Sequence, residues 1–134
     1  MDAIRWQGNS LALLDQTRLP VEEVWNTYTD YRKVADAIRR LVVRGAPAIG
    51  VAAGFGVYLA AKQIQADTWD EFYPQFKAAK DYLNSSRPTA VNLSWALNRM
   101  EQVVLDNRDK SVPELKELLH KESVAIKDED VWMC

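Results

Sequence analysis

The sequence predicts a mainly α-helical domain, in which a bundle of four to five helices follows a small antiparallel β meander. Two observations support this fold class. Residues 1–28 contain brief apolar runs that are interrupted at Gly8-Asn9 and at Pro20, as in short strands joined by turns. In residues 29–134 the apolar side chains instead recur at helical spacing. We therefore expect one domain, with the meander at 1–28 and the helical bundle at 29–134.

The first two helices are predicted on either side of a short break near residue 44. The first starts after Thr29 or Asp30, either of which can cap it, and its apolar face comprises Tyr31, Val34, Ala35, Ile38, Leu41 and Val42. The second contains the small-residue stretch AIGVAAGFGVYLAAKQ. A glycine in a helix costs about 1 kcal/mol relative to alanine, so tertiary packing must compensate for it. We expect Ala46, Gly50 and Gly54 to form a smooth stripe that a neighbouring helix approaches closely.

Three further helices are predicted in the second half of the chain. The third has an aromatic-rich face and contains Pro74, which must lie near its first turn or bend it. The fourth follows Ser85-Ser86-Arg87-Pro88, with Thr89 as a possible cap. The fifth starts at Ser111-Val112-Pro113-Glu114, which has the spacing of a capping box. It continues to the last residue without a glycine cap, so we expect that the chain is cut or ends inside this element.

The composition narrows the function classes. A hydrophobic content of 48% in 134 residues allows one domain with a real core. The formal net charge of -2, with both signs mixed along the chain, disfavours nucleic acid and anionic membrane as partners. The uncharged run from Ala46 to Ala61 is shorter than the roughly 20 residues that span a bilayer. With Cys134 as the only cysteine and no export signal, the cytoplasm is the expected location.

Two arginines precede predicted helix starts and are candidates for binding an anion. In Arg44-Gly45-Ala46-Pro47 an arginine and a glycine stand directly before a helix. Helix N-termini have unpaired N–H groups and a partial positive charge, and the guanidinium group offers paired donors that suit phosphate. Arg87 repeats this arrangement before the fourth helix. Taken alone, each corner is better explained as a plain connection with a solvated arginine.

Three segments together resemble a known family. They are LLDQTRLP from Leu13, VRGAPAIGVAAGFGVYLA from Val43 and SRPTAVNLSWALNRM from Ser86, and their order and spacing resemble those of the methylthioribose-1-phosphate isomerases. These enzymes belong to a wider group with the α, β and δ subunits of the translation factor eIF2B and the ribose-1,5-bisphosphate isomerases.

The resemblance implies the N-terminal domain of a two-domain protein, whose Rossmann-like C-terminal domain this sequence lacks. It implies that Arg44, Gly45, Ala46 and Arg87 contact a sugar phosphate at a site between the domains. The implied reaction converts 5-methylthioribose 1-phosphate to 5-methylthioribulose 1-phosphate in methionine salvage, with no metal or nucleotide cofactor. The family's catalytic cysteine and aspartate belong to the C-terminal domain, so we expect no catalytic residue here and no activity from this chain alone.

Alternatives stay open at this stage. The chain could be a non-catalytic eIF2B-like module for regulation or sugar-phosphate binding, or part of an isomerase for another pentose 1-phosphate, such as ribose 1,5-bisphosphate or 5-deoxyribose 1-phosphate. His120, the only histidine, is expected to be structural or solvent-facing, and Cys134 is not expected to be catalytic. A homo-oligomer is expected, because the face that meets a second domain would be exposed and apolar.

Overall fold

A computed structural model describes residues 4–7, 10–14, 25–40, 46–87 and 91–133, with the backbone alone at 46, 47 and 130–133. Within these ranges three strands precede five helices. The strands are β1 (Ile4–Trp6), β2 (Leu11–Leu14) and β3 (Trp25–Tyr28); the helices are α1 (Tyr31–Arg39), α2 (Ala46–Gln63), α3 (Trp69–Asn84), α4 (Val91–Asp106) and α5 (Val112–Met133). The predicted fold class, a helical bundle after a small antiparallel sheet, is confirmed.

The sheet is an antiparallel meander with β2 in the centre. Ile4 pairs with Leu13 between β1 and β2, and Leu11 pairs with Tyr28 between β2 and β3. Alternate residues of a strand point to opposite faces, so Ile4 and Trp6 share one face of β1. On that face Trp6 stacks on Phe55 of α2 with 4.8 Å between the ring centroids. The sheet is thereby attached to the helical bundle.

Helix α2 is the centre of the bundle. Every residue from Ile49 to Ala61 is buried, and α2 contacts each of the other four helices. A helix that is apolar on all sides is stable only inside a protein core. The small side chains of α2 let several helices pack around it at once.

The glycines of α2 contact different neighbours. A Cβ built on Gly50 would lie 3.3 Å from the main-chain oxygen of Asn92 in α4, so the close helix approach predicted at Gly50 is confirmed. A Cβ on Gly54 would instead meet the side chain of Ile126 in α5 at 3.2 Å. Gly56, which the predicted stripe did not include, faces Val34 of α1 and Leu83 of α3. Three glycines therefore make room for four different helices.

Side-chain caps define the starts of three helices. Asp30, and not Thr29, caps α1, since its Oδ1 accepts a hydrogen bond from the N–H of Arg32 at 2.9 Å. Thr68 caps α3 in the same way through the N–H of Glu71. The predicted capping box of α5 is confirmed, because the N–H of Glu114 donates to Ser111 Oγ at 3.3 Å and the N–H of Ser111 donates to Glu114 Oε1 at 3.4 Å.

Other local predictions have mixed outcomes. Pro74 lies inside α3, in its second turn. Leu41 and Val42, predicted on the apolar face of the first helix, and Thr89, the possible cap of the fourth, lie outside the described residues. Among the described residues, no helix has the length and apolar character needed to cross a bilayer.

Polar contacts attach α4 to α3. Lys80 Nζ and the Tyr73 hydroxyl each donate to a different carboxylate oxygen of Glu101, both at 2.9 Å. Burial raises the pKa of the Glu101 carboxyl, but the hydrogen bonds from Lys80 and Tyr73 and the charge of Lys80 outweigh burial, so the pKa lies below its usual range. The ionised carboxylate thus holds the two helices together.

A second polar contact attaches α4 to α5. Arg99 of α4 donates to Glu122 at 2.6 Å and also pairs with Glu129, both on α5. The hydrogen bonds that Arg99 donates, first that to Glu129 and then that to Glu122, raise the pKa of Arg99 despite its partial burial. With Glu101 on one side and Arg99 on the other, α4 has a defined orientation in the bundle.

Candidate anion-binding site

The starts of α2 and α4 lie at the same end of the bundle. Gly50 is four residues, about 6 Å along the helix axis, beyond Ala46, the first residue of α2. Its close neighbour Asn92 is the second residue of α4. The first turn of α4 therefore packs against α2 about one turn after α2 begins. The sequence alone could not place these two starts relative to each other.

Both helix starts are free of acidic side chains. The first turns of α2 and α4 contain no aspartate or glutamate, whereas α3 has Asp70 and Glu71 and α5 has Glu114 in that position. The described first turns of α2 and α4 therefore contain no acidic side chain that would offset the partial positive charge of a helix N-terminus. An anion fits such a pair of ends.

Arg87 lies between α3 and α4, in the segment that precedes the start of α4. Its side chain is half-buried, and none of the described residues forms a hydrogen bond, an ion pair or a ring contact with it. All other arginines in the described ranges have a carboxylate or an aromatic partner: Arg39, Arg40 and Arg99 have carboxylates, and Arg5, Arg32 and Arg108 lie over rings. Among the described arginines, Arg87 therefore differs from the others in having neither a carboxylate nor an aromatic ring as a partner in this part of the chain.

The structure describes only part of the other predicted site residues. Ala46 is the first residue of α2, and only its backbone is described. Arg44 and Gly45 lie outside the described residues.

An exposed apolar strip lies at the start of α4. Val91 and Trp95, one turn apart on α4, are 78% and 51% exposed. The guanidinium of Arg99 lies 5.4 Å from the centroid of the Trp95 ring. Since Arg99 is itself held by two carboxylates of α5, the Trp95 ring has a supported position at the surface.

His120 of α5 lies in an aromatic cluster with Trp6 of β1 and Tyr58 of α2. Its ring is 5.1 Å from that of Tyr58 and 6.2 Å from that of Trp6, and the side chain is half-buried. Burial, and then the charge of Glu117, raise the pKa of Tyr58. Tyr58 is eight residues beyond Gly50, about 12 Å along the helix axis, so this cluster is separate from the helix starts. His120 has the structural setting that its sequence context predicts.

The described residues contain no cluster of three or more metal-ligating side chains. Cys134 lies outside the described residues. Among the described residues, this end of the bundle offers the N–H groups of two helix starts and the Arg87 guanidinium, which are suited to binding an anion.

A family model matches most of the chain. Residues 42–134, which include both helix starts and Arg87, match the initiation factor 2 subunit family, IF-2B. The chain belongs to this family. The resemblance inferred from the three segments is thereby confirmed.

Curated members of the family include enzymes with high identity to this chain. The chain is 50% identical over 131 residues to the methylthioribose-1-phosphate isomerase of Geobacter sp. strain M21, and 48% identical over 134 residues to the 5-deoxyribose 1-phosphate isomerase of Clostridium botulinum. Each match covers 98% of this chain and 38% of the relative. The chain therefore spans well under half the length of the relatives that it matches.

Solved structures of the family share the fold. The 5-methylthioribose 1-phosphate isomerase of Pyrococcus horikoshii matches with a TM-score of 0.90 and 40% identity, covering 95% of this chain and 36% of that one. The eIF-2B subunit delta of A. fulgidus matches with a TM-score of 0.88 and 39% identity, covering 98% of this chain and 38% of that one. Fold similarity to the two structures is nearly equal, so it does not by itself choose between an isomerase and a translation-factor subunit.

Proposed function

We propose that this chain is the N-terminal, phosphate-contacting part of an isomerase that converts 5-methylthioribose 1-phosphate to 5-methylthioribulose 1-phosphate in methionine salvage. One observation carries the proposal. The acid-free starts of α2 and α4 pack against each other through Gly50, each with an arginine a few residues before it. Two helix N-termini and the arginines that precede them in the sequence support the proposal that a phosphate group binds at this end of the bundle.

The proposed ligand contacts are those of the family motif. Arg44 and Arg87 supply paired charge-assisted donors, and Gly45 and Ala46 let the phosphate approach the main chain at the start of α2. A phosphate that is bound by two helix ends and two guanidinium groups is held in position and orientation, since the contacts come from several directions.

The chemistry itself is proposed to lie outside this chain. The anomeric oxygen of the substrate carries the phosphate, so opening of the ring and migration of the carbonyl require positioned groups that move protons. The family's cysteine and aspartate, in its Rossmann-like C-terminal domain, are proposed for those roles. No metal or nucleotide cofactor is part of the proposal.

We also propose a domain organisation, a cellular location and an oligomeric state for this chain. Residues 1–134 form a single domain, with the meander at 1–28 and the bundle at 29–134, in a cytoplasmic enzyme. The exposed strip of Val91 and Trp95 supports the proposal that this chain alone associates into a homo-oligomer, because exposed apolar surface promotes association. Nucleic acid is not a proposed partner, given the net charge of -2.

Two other functions have support from particular relatives. The 39% identity to an eIF-2B delta subunit supports a non-catalytic module, in which the same site binds a sugar phosphate for regulation. The 48% identity to a 5-deoxyribose 1-phosphate isomerase supports a different pentose 1-phosphate as substrate. The relative affinities of the chain for 5-methylthioribose 1-phosphate, 5-deoxyribose 1-phosphate and ribose 1,5-bisphosphate would rank these ligands.

We expect the chain to bind 5-methylthioribose 1-phosphate without converting it, and Arg87→Ala to weaken that binding about tenfold through loss of a charge-assisted contact. Arg44→Ala should have a similar effect. Isothermal titration measures the affinity, and NMR of the incubated sugar phosphate detects any ketose product.

Arg108→Ala is the matched control, because Arg108 is an exposed arginine beyond the other end of α4, over the ring of Trp69. An equal loss of affinity in Arg108→Ala, or none in Arg87→Ala, would contradict the proposed site. Measurable isomerisation by this chain would contradict the assignment of the chemistry to another domain.

A further inference from the structure

The segment that carries Arg87 is attached to α3 by short-range hydrogen bonds. Ser85 Oγ donates to the carbonyl of Tyr82, and Ser86 Oγ donates to that of Leu83, both at 2.6 Å. The N–H of Ser85 also donates to the carbonyl of Asp81 at 3.0 Å. Each of these bonds joins residues three or four positions apart. They continue the end of α3 but cannot set where the segment lies relative to α4.

One hydrogen bond crosses the whole segment. Ser94 Oγ donates to Asn84 Oδ1 at 2.8 Å, over a separation of ten residues. Asn84 is the last residue of α3 and Ser94 is the fourth residue of α4, so the bond joins the two helix ends between which Arg87 lies. Both side chains are half-buried, where a hydrogen bond is less exposed to competition from water.

This bond matters for Arg87 because the Arg87 side chain has no partner of its own among the described residues. A guanidinium group without side-chain partners takes its position from the path of its backbone and from the ligand. A serine inside a helix commonly donates to a carbonyl one turn earlier. Ser94 instead donates to the preceding helix, and the two ends of the Arg87 segment are held together.

We propose that Ser94 and Asn84 are positioning residues for Arg87. Their hydrogen bond keeps the corner between α3 and α4 closed, so that the guanidinium lies in advance where the phosphate of a sugar phosphate is bound. Ordering the segment before binding lowers the entropy that the ligand must otherwise overcome. The inference rests on the proposed function, since it assigns to Arg87 the role of phosphate ligand.

The test compares Ser94→Ala, which removes the hydroxyl, with Ser94→Thr, which retains it. Asn84→Ala removes the same bond from the other side, and Ser85→Ala is the control that removes a short-range bond in the same segment. In the ¹⁵N-labelled chain, the Arg87 Nε–Hε resonance reports binding of inorganic phosphate and of 5-methylthioribose 1-phosphate. Backbone relaxation at residues 85–87 reports the order of the segment without ligand.

We expect Ser94→Ala and Asn84→Ala to lower both affinities about fivefold, the effect of one neutral hydrogen bond, and to increase the motion of residues 85–87. Ser94→Thr and Ser85→Ala should stay within about twofold of the parent chain, a margin below the effect of one hydrogen bond. Thermal unfolding of each variant verifies that the fold is retained, and if one of the two alanine variants does not fold, the other gives the result.

Each outcome has a distinct meaning. Unchanged affinity and unchanged relaxation in both alanine variants overturn the positioning role, while a loss in Arg87→Ala leaves the proposed phosphate site in place. Failure of Ser94→Thr to retain the affinity overturns the hydrogen bond as the cause. If Arg87→Ala has no effect or the chain does not bind either ligand, the proposed function fails, and the relaxation of residues 85–87 still decides whether the bond orders the segment.

Discussion

Replacement of Phe55 by alanine is expected to lower the free energy of unfolding by about 3 to 5 kcal/mol, the usual cost of removing a fully buried phenylalanine. Phe55 is 0% exposed and lies in the middle of α2, the helix that contacts all the others. Its ring also stacks on Trp6, so the change removes a contact between the sheet and the bundle as well as core volume.

Urea denaturation, followed by circular dichroism and tryptophan fluorescence, measures this effect. Phe55→Leu is the matched control, because it keeps most of the apolar volume and should cost about 1.5 kcal/mol or less. If the alanine variant lost no more stability than the leucine variant, Phe55 would not be the packing centre that its burial indicates.

Gly50→Ala is expected to destabilise the chain by about 2 kcal/mol, although alanine is the better helix former by about 1 kcal/mol. The added Cβ would lie 3.3 Å from the main-chain oxygen of Asn92, which cannot move without moving α4. Overpacking therefore outweighs the gain in helix propensity. Because the same contact brings the starts of α2 and α4 together, the affinity for inorganic phosphate should also fall.

Gly54→Ala provides the control within the same helix. Its Cβ would meet the terminal Cδ1 of Ile126 at 3.2 Å, and a terminal methyl group can rotate away, so the stability should change by less than about 1 kcal/mol. Urea denaturation and phosphate titration of both variants test the comparison. Equal stability and equal affinity for Gly50→Ala and Gly54→Ala would show that the contact with Asn92 does not determine the spacing of the helix starts.

Local features of the bundle were predictable because their interactions are local. The Ser111–Glu114 capping box and the cap at Asp30 involve residues two or three positions apart, and such spacing is visible in a sequence. The absence of acidic residues near residues 46 and 91 was equally visible, and it was a signal for an anion site that the sequence analysis did not use.

Contacts between distant segments were not predictable in the same way. The stripe of Ala46, Gly50 and Gly54 was expected to face one neighbouring helix, yet Gly50 meets α4 and Gly54 meets α5. A helix in the centre of a bundle has different neighbours along its length, and helical periodicity does not identify them. The Ser94–Asn84 bond was missed for a related reason, since serine and asparagine at that separation have no characteristic pattern.

The sequence by itself determined the family, the order of strands and helices, and the two arginines that are candidates for phosphate binding. These follow from residue identity, helical spacing and the resemblance of three segments. Only the tertiary structure decided that the starts of α2 and α4 lie side by side and that Arg87 has no side-chain partner among the described residues. Both depend on how helices separated by some 40 residues pack, and such packing is set by the shapes of whole helix surfaces and not by any local run of residues.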